Sequence, residues 1–387
     1  MNTNGFVPGN RVRLLRNGDQ YFPALEAAID DARFEVHLQT YIYEPDEIGL
    51  RIAAALKRAA ARGVAVCLLL DGFGCKELSK TFVRDLIEAG VEVLIFRPKV
   101  SPWTLKRHRL RRLHRKIAVV DGRVALVGGI NIIDDLNTPG HTPPRVDYAV
   151  EVEGPLLTTI RASARRLWRS VAWTHLRHIP SGALSARLPA EHAGNMWAAY
   201  VVRDNVWHRS DIEEAYLDAI RNARSEIVIA NSYFLPGIQF RHELVEAARR
   251  GVRVLLLLQA RVEYWLLDYA SRALYDSLLP AGIEIYEYHA SFMHSKVAVI
   301  DGHWATVGSS NIDPFSLLLA REANVVVDDV GFATELREDI ENSIRAGAHL
   351  VRPDHWKRDH WLRRMLAWAA YGFIRGSLGI IGYPDRG

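Results

Sequence analysis

Cysteine is nearly absent: only two occur in 387 residues, Cys67 in an apolar run and Cys75 in a loop-like stretch, with no spacing suited to a zinc site or a disulfide framework. A reducing compartment is the expected setting. No uninterrupted apolar stretch reaches the roughly 18 residues of a membrane-spanning helix, and the opening MNTNGFVPGNRVRLL lacks the apolar core of a secretory signal. A lipid substrate would have to be reached from the bilayer surface. Charge imbalance is also missing. Lys and Arg number 49 against 45 Asp and Glu, a formal +4, so overall charge identifies no partner. With 49% hydrophobic residues the chain can bury two ordinary cores, and two domains are the natural count.

What the chain does have is a repeat. His114-Arg-Lys116-Ile-Ala-Val-Val-Asp121 recurs as His294-Ser-Lys296-Val-Ala-Val-Ile-Asp301, every chemical residue displaced by 180 positions, and Gly128 and Asn131 return as Gly308 and Asn311. One H-x-K-x4-D could be chance; two in register mark a site. The branched apolar run after each Lys favours a strand, on which residues two apart share a face. Asp121-Gly122 and Asp301-Gly302 are hairpin-turn dipeptides, with Arg123–Val127 and His303–Val307 as returning strands. Two such hairpins facing across a pseudo-twofold axis would bring two imidazoles and two ammoniums to one point. That constellation suits a phosphodiester: the ammoniums clamp phosphoryl oxygens, one imidazole attacks phosphorus, and the other protonates the departing oxygen. No metal or organic cofactor is required. The histidines must start in different protonation states, so their surroundings must separate their pKa values.

The paired H-x-K-x4-D-x6-G-[GS]-x-N pattern resembles the phospholipase D superfamily. Further likeness covers nearly the whole chain, through Leu14–Tyr21, Trp207–Asp211, Ala230–Pro236 and Trp304–Leu317, and within that superfamily it resembles the bacterial cardiolipin synthases of the shorter B type. The resemblance implies a histidine that takes up a phosphatidyl group and an alcohol that releases it. Carried onto this chain, His114 and His294 are nucleophile and acid, with His114 favoured as nucleophile. Lys116, Lys296, Asn131, Asn311 and Ser309 would meet the phosphoryl group. Gly129 stands where the second copy has Ser309, which removes one hydroxyl from that half. Asp147, 33 residues beyond His114, and Glu322, 28 beyond His294, would orient a histidine through its second ring nitrogen.

Plainer roles compete at several of these positions. Asp121 and Asp301 complete the motif and are counted with the catalytic set. An Asp before Gly at a turn ordinarily hydrogen-bonds its own backbone, however, and a structural role is favoured for both. Asn131 and Asn311 could equally be strand-end turn residues, and Asp147 and Glu322 surface carboxylates at strand starts.

The repeat extends beyond the motif. Strands are expected at Glu35–Tyr43, Val64–Leu70 and Val91–Phe96, answered by Glu226–Tyr233, Val252–Gln259 and Ile283–Tyr288. The helices between them are Gly49–Ala61 and Lys80–Ala89, answered by Arg241–Arg250 and Tyr264–Leu279, and Pro155–Trp173 closes the first half. The expected fold is α/β: two tandem, pseudo-twofold-related α/β/α phospholipase D-like domains, each with a mixed sheet. They span 1–178 and 196–350, with a linker at 179–195 and a tail at 351–387. The first half carries 12 extra residues within Pro98–Arg112, a basic stretch with Lys99, Lys106, Arg107, Arg109, Arg111 and Arg112 that would attract anionic headgroups or nucleic acid. The tail mixes Trp356, Trp361, Trp368, Tyr371 and Phe373 with Lys357, Arg358, Arg363, Arg364 and Arg375, which fits either an interfacial membrane helix or a helix packed on the second domain.

The expectation is therefore a peripheral enzyme of the bacterial cell membrane, on its cytoplasmic face. The resemblance implies that it would pass a phosphatidyl group from one phosphatidylglycerol to another through a phosphohistidine and release glycerol. Anionic phospholipids and the membrane surface are the expected partners; nucleic acid is not. Tyr233, Phe234 and Phe315 are candidates for shielding the intermediate from water. A phospholipase D-type hydrolase would use the same residues with water as acceptor. A nuclease would use the basic stretch, and a non-enzymatic lipid-binding module would not need His and Lys kept twice. The sequence leaves the donor lipid and the oligomeric state open.

Overall fold

A computed structural model describes residues 5–98, 111–175, 191–204, 208–260, 265–313, 320–352 and 365–372. The first half runs β1 (Val7–Arg16), α1 (Asn17–Asp30), β2 (Glu35–Thr40), α2 (Glu47–Ala61), β3 (Ala65–Asp71), α3 (Lys80–Glu88), β4 (Glu92–Phe96), β5 (Arg112–Leu113), β6 (Lys116–Val120), β7 (Val124–Gly128), β8 (Arg145–Val146), β9 (Tyr148–Glu153) and α4 (Leu157–Thr174). The second runs β10 (Met196–Arg203), α5 (Asp211–Asn222), β11 (Glu226–Asn231), α6 (Ile238–Arg249), β12 (Arg253–Gln259), α7 (Trp265–Ala273), α8 (Tyr275–Leu278), β13 (Glu284–Tyr288), β14 (Phe292–Met293), β15 (Lys296–Ile300), β16 (Trp304–Gly308), β17 (Ala320–Asp328), α9 (Val330–Gly347) and β18 (Ala348–Leu350).

Both halves contribute to one 16-stranded mixed sheet. From the central pair outward the order is β1-β9-β7-β6-β2-β3-β4 on one side and β10-β17-β16-β15-β11-β12-β13 on the other, so the two sides mirror each other in topology. The seam is the antiparallel pair β1·β10, with Val7 opposite Ala198 and Asn10 opposite Met196. Neither seam strand is among those expected from the sequence. The outer strands β2-β3-β4 and β11-β12-β13 pair in parallel, and the hairpin strands are antiparallel.

Apolar side chains occupy both faces of the central strands, the pattern of a sheet covered by helices on both sides. Ile117, Val119, Val297 and Val299 share one core with Val12, Leu14, Val325 and Val327 from across the seam, covered by Ile160 and Ala164 of α4 and Leu336 and Ile340 of α9. The opposite faces have separate cores, one under α1 and α2, the other under α5 and α6. The halves are thus separate on one face and fused on the other. Arg16 of the first half also pairs with Asp339 of the second.

Expected element bounds hold to within a few residues in most cases. One differs in kind: the helix expected over Tyr264–Leu279 is interrupted at Leu274, whose N–H reaches back only to Ser271. A 3-10 turn follows through Leu279–Ala281 and ends at Gly282 with φ of 84°; Pro280 inside it cannot donate the next helical hydrogen bond. The connecting stretch is described only from 191, where Ala193 N–H donates to Gly9 O at 2.9 Å. Of the basic stretch, Lys99, Trp103, Leu105, Lys106, Arg107 and Arg109 lie outside the described residues. Of the tail, 365–372 is helical. Ala367 and Ala370 are buried while Met365, Leu366 and Trp368 are exposed, and Trp368 Nε1 donates to Asp276 Oδ2 at 3.2 Å. Trp356, Trp361, Phe373 and the tail's basic residues lie outside the described residues.

Candidate active site

The two hairpins form as the Asp-Gly dipeptides require. Asp121 and Gly122 take positive φ of 53° and 64°, Asp301 and Gly302 of 51° and 67°, and strand pairing resumes at Val120–Val124 and Ile300–Trp304. Neither aspartate, however, accepts a backbone hydrogen bond from its own turn, although Arg123 Nη2 lies 3.6 Å from Asp121 Oδ2. Asp121 accepts the backbone N–H groups of Arg33, Phe34 and Glu35, each at 2.8 Å, and Asp301 accepts those of Arg224, Ser225 and Glu226 at 2.8 to 3.0 Å. Each fastens the hairpin to the start of the adjacent strand, β2 or β11. A five-residue strand, about 16 Å long, separates each from the histidine end. Asp121 and Asp301 therefore belong to the motif but stand apart from the reacting cluster.

At the other end the two halves cross. Leu113 of β5 pairs in parallel with Arg321 of β17, and Met293 of β14 with Val146 of β8. The next N–H in each chain, that of His114 or His294, donates to Arg321 O at 3.0 Å or Val146 O at 2.7 Å. Each histidine is thereby laid beside the residue preceding the other half's acid. His114 Nδ1 meets Glu322 Oε1 at 2.8 Å, and His294 Nδ1 meets Asp147 Oδ2 at 2.7 Å. Holding Nδ1 this way fixes the tautomer and leaves Nε2 as the nitrogen available to a substrate.

The lysines complete the cluster from below. Lys116 Nζ donates to His114 O at 2.6 Å; Lys296 Nζ donates to His294 O and lies 2.9 Å from His294 Nδ1 and 3.4 Å from Ser232 Oγ. Both ammoniums and both carboxylates are buried, while the imidazoles keep 15% and 14% of their surface, so the rings are what an incoming group meets. Burial pushes Lys116 down to about 7 and Lys296 down to about 8, against the pull of Glu322 and Asp147. Burial also lowers both imidazoles, His294 to about 3, and Lys116 and Lys296 each depress both rings. Four basic groups that feel one another across the seam form a single electrostatic centre. Asp147, which burial alone would raise, is held below the usual carboxylate range by Lys296 and His294.

Ser309, expected at the phosphoryl group, donates its hydroxyl to Glu322 Oε2 and accepts from Ala323 N at 3.1 Å, so its bonds within the protein are to an acid and a backbone amide. Gly129 is explained by the same geometry, because a Cβ there would lie 2.2 Å from Asp147 Oδ1. Asn131 Oδ1 accepts Ile42 N at 3.0 Å and Asn311 Oδ1 accepts Ser232 Oγ at 3.2 Å; neither Nδ2 is hydrogen-bonded among the described residues.

Three further groups at the site are not among the residues expected from the sequence. Asp71, at the end of β3, accepts Leu113 N at 2.7 Å, and Gln259, at the end of β12, accepts Met293 N at 2.8 Å. Each thus pins the residue before a histidine. Tyr41 sets its ring 4.9 Å from that of His114 at 68°. The repeat could have pointed to the first two, since both end equivalent strands, but not to their partners. Of the proposed shields, Phe234 is buried in the second-half core, Tyr233 is half-buried, and Phe315 lies outside the described residues. Among the described residues no three His, Cys, Asp or Glu side chains are grouped to hold a metal ion, and no helix is long and apolar enough to cross a membrane. A cavity of about 1190 Å³ opens between α4, β10 and α5, walled by Arg115, Tyr200 and Arg321; none of the paired motif residues lines it.

Known proteins resemble this chain in sequence and in fold. The family described as cardiolipin synthase, phospholipase D-like domain, matches residues 25–137 and 216–344. Cardiolipin synthase B of Escherichia coli K12 is 38% identical over 385 residues, covering 97% of this chain and 90% of that protein. Cardiolipin synthase 1 of Bacillus anthracis is 32% identical, covering 86% and 66% respectively. Among solved structures, a phosphatidylserine synthase of Haemophilus influenzae Rd KW20 aligns over 95% of this chain and 94% of its own with a TM-score of 0.65 at 13% identity, a likeness of fold.

Proposed function

Since the chain belongs to the cardiolipin synthase family of phospholipase D-like proteins, we propose that its two histidines make cardiolipin from two molecules of phosphatidylglycerol. It is a phosphatidyltransferase acting on phospholipid; the donor, the acceptor and the residue roles are our inference. The observation that carries them is the crossed pairing of His114 with Glu322 and His294 with Asp147.

In the first step Lys116 and Lys296 neutralise the phosphoryl oxygens, with the Nδ2 groups of Asn131 and Asn311 as further donors. His114 Nε2 attacks phosphorus. The bond to the glycerol oxygen breaks, and that oxygen leaves with its electron pair and a proton from His294. In the second step neutral His294 takes the proton of a hydroxyl on another phosphatidylglycerol. That oxygen attacks phosphorus and the P–N bond breaks, returning its pair to His114. General acid–base help of this kind contributes about 10²- to 10⁴-fold.

The unlike acids support this division of roles. Glu322 already accepts the Ser309 hydroxyl, so less of its charge is left to stabilise an imidazolium on His114. Asp147 has Gly129 in that place and holds His294, the ring that must carry the proton. At rest His294 is nevertheless depressed to about 3, because burial is reinforced by Lys296 beside its Nδ1. An arriving phosphate anion draws both ammoniums and relieves that repulsion.

We place the enzyme peripherally on the cytoplasmic face of the bacterial membrane, the basic composition of 98–112 supplying charge that attracts anionic headgroups. The division into domains 1–178 and 196–350 belongs to the same proposal. Purified protein given labelled phosphatidylglycerol tests the reaction directly. Cardiolipin with glycerol is expected; phosphatidic acid as the sole lipid product would replace transfer with hydrolysis.

A further inference from the structure

A phosphohistidine that must wait for a lipid alcohol is open to the far more abundant water, so something at the site has to disfavour water. Tyr41 is placed to do so. It follows β2 directly, and its ring stands edge-on to His114 at 4.9 Å with Lys116 Nζ 5.4 Å from the ring centre. Its backbone is fixed from two sides. Cys75 Sγ donates to Tyr41 O at 3.3 Å, and Ile42 N–H donates to Asn131. Gly74 passes so close that a Cβ there would lie 2.0 Å from Tyr41 O and 3.0 Å from its Cδ2.

The repeat supplies a control within the same chain. The counterpart of Tyr41, 191 positions on, is Ser232, whose hydroxyl donates to Asn311 and lies 3.4 Å from Lys296 Nζ. One half of the site therefore has aromatic carbon against its imidazole and ammonium where the other has a hydroxyl able to hold water. Of the shields expected from the sequence, Phe234 is turned into the second-half core and Phe315 lies outside the described residues.

We propose that Tyr41 is a specificity-determining residue that biases the phosphohistidine on His114 toward a lipid alcohol and away from water. The proposal rests on the phosphohistidine reading above. The two acceptors compete for one bond change. Either a water or a glycerol hydroxyl gives its proton to His294 and its oxygen to phosphorus, while the P–Nε2 pair returns to His114. Water yields phosphatidic acid and the alcohol yields cardiolipin. Ring carbons beside His114 offer an approaching water no hydrogen bond, whereas the wide apolar body of a lipid loses nothing against them.

The test is the ratio of phosphatidic acid to cardiolipin formed by the full chain from labelled phosphatidylglycerol in mixed micelles. Tyr41→Ser, which copies the other half, should raise that ratio about tenfold, the scale on which one apolar group discriminates in a pocket. Tyr41→Phe should keep the wild-type ratio. An unchanged ratio in Tyr41→Ser overturns the proposal, and so does a folded Tyr41→Ser protein with no turnover by either route, which would make Tyr41 a requirement for chemistry. If Tyr41→Ser does not fold, Tyr41→Leu decides by the same ratio, since Leu keeps the apolar wall and must stay near wild type, while Tyr41→Asn must not. Wild-type protein that forms no acid-labile phospho-adduct would instead remove the underlying reading.

Discussion

The two halves carry the same motif at the same places, yet the side chains that support it differ pair by pair. Around His114 stand Tyr41, Asp71 and a glutamate braced by Ser309; around His294 stand Ser232, Gln259 and an aspartate packed against Gly129. The last pair is the most instructive. Gly129 looks in sequence like a lost hydroxyl, but Asp147 occupies the space its Cβ would need, whereas the longer Glu322 reaches a serine. Small residue with one acid and larger residue with the other are matched sets. Because the acids serve the opposite halves, each set tunes a histidine 147 to 208 positions away.

Removing a histidine breaks the comparison most severely. His114→Ala and His294→Ala should each lower transfer by about 10³-fold or more. Alkaline-quenched mass spectrometry, which preserves the P–N bond, should then find phospho-adduct in His294→Ala protein and none in His114→Ala. Adduct on His294 would reverse the assignment of attacker and proton donor. Next in size are the acids. Glu322→Gln and Asp147→Asn should each cost about 10²-fold or more, by analogy with other histidine-orienting carboxylates. The crossed arrangement requires that Glu322→Gln impair adduct formation and that Asp147→Asn act mainly on proton transfer, seen as a shifted pH profile. The opposite assignment would uncross the site.

Smaller substitutions sharpen the contrast between the matched sets. Gly129→Ser forces a side chain against Asp147 and should destabilise the fold by about 1–3 kcal/mol, read as a lower melting temperature. Ser309→Ala removes one buried charge-assisted hydrogen bond, worth about 1.5–3 kcal/mol of stability, and should in addition slow adduct formation about tenfold or more, a step that Gly129→Ser, on the proton-donor side, should spare. Equal behaviour of the two variants would mean the halves are interchangeable there. The gentlest probe is pH. His294 folds with its pKa depressed to about 3 from an ordinary 6.5, so the unfolded chain binds more protons between those values and stability falls as pH drops through that window. Asp147, also depressed, adds loss in the same direction at the acidic end. Urea denaturation across about pH 6.5 to 4 should show a shallower slope for His294→Ala than for wild type; parallel slopes would contradict the depression.

Much of this site is legible in the sequence because its logic is local. A histidine and lysine two apart, an apolar run and an Asp-Gly turn specify a hairpin within about ten residues, and repetition specifies a pair. The rest is tertiary. Two-residue strands such as β5 and β8 carry no periodicity, so their parallel pairing with β17 and β14, which crosses the acids, cannot be read from spacing. Asp121 and Asp301 read as turn residues, but the backbone groups they accept include those of Glu35 and Glu226, 86 and 75 positions away at the starts of neighbouring strands. The bond from Ser309 to Glu322 is likewise invisible in the sequence, since a hydroxyl two residues from a motif asparagine is as fit for a carboxylate as for a phosphate. Seam strand β1 alternates buried and exposed residues over Asn10–Leu14 but has Pro8 and Gly9 near its start, and β10 is uncharged at every position but its last, so neither reads as a half-buried strand over its whole length.

The crossing of the acids also bears on how such a chain could arise. A polypeptide with a single repeat would hold an imidazole without its carboxylate, and could complete a centre only by docking with an identical copy, in which both rings would be furnished alike. Once the copies were joined end to end, a change in one no longer appeared in the other. Each ring could then be shaped separately for its own task, a division of labour that a symmetric pair of subunits cannot achieve.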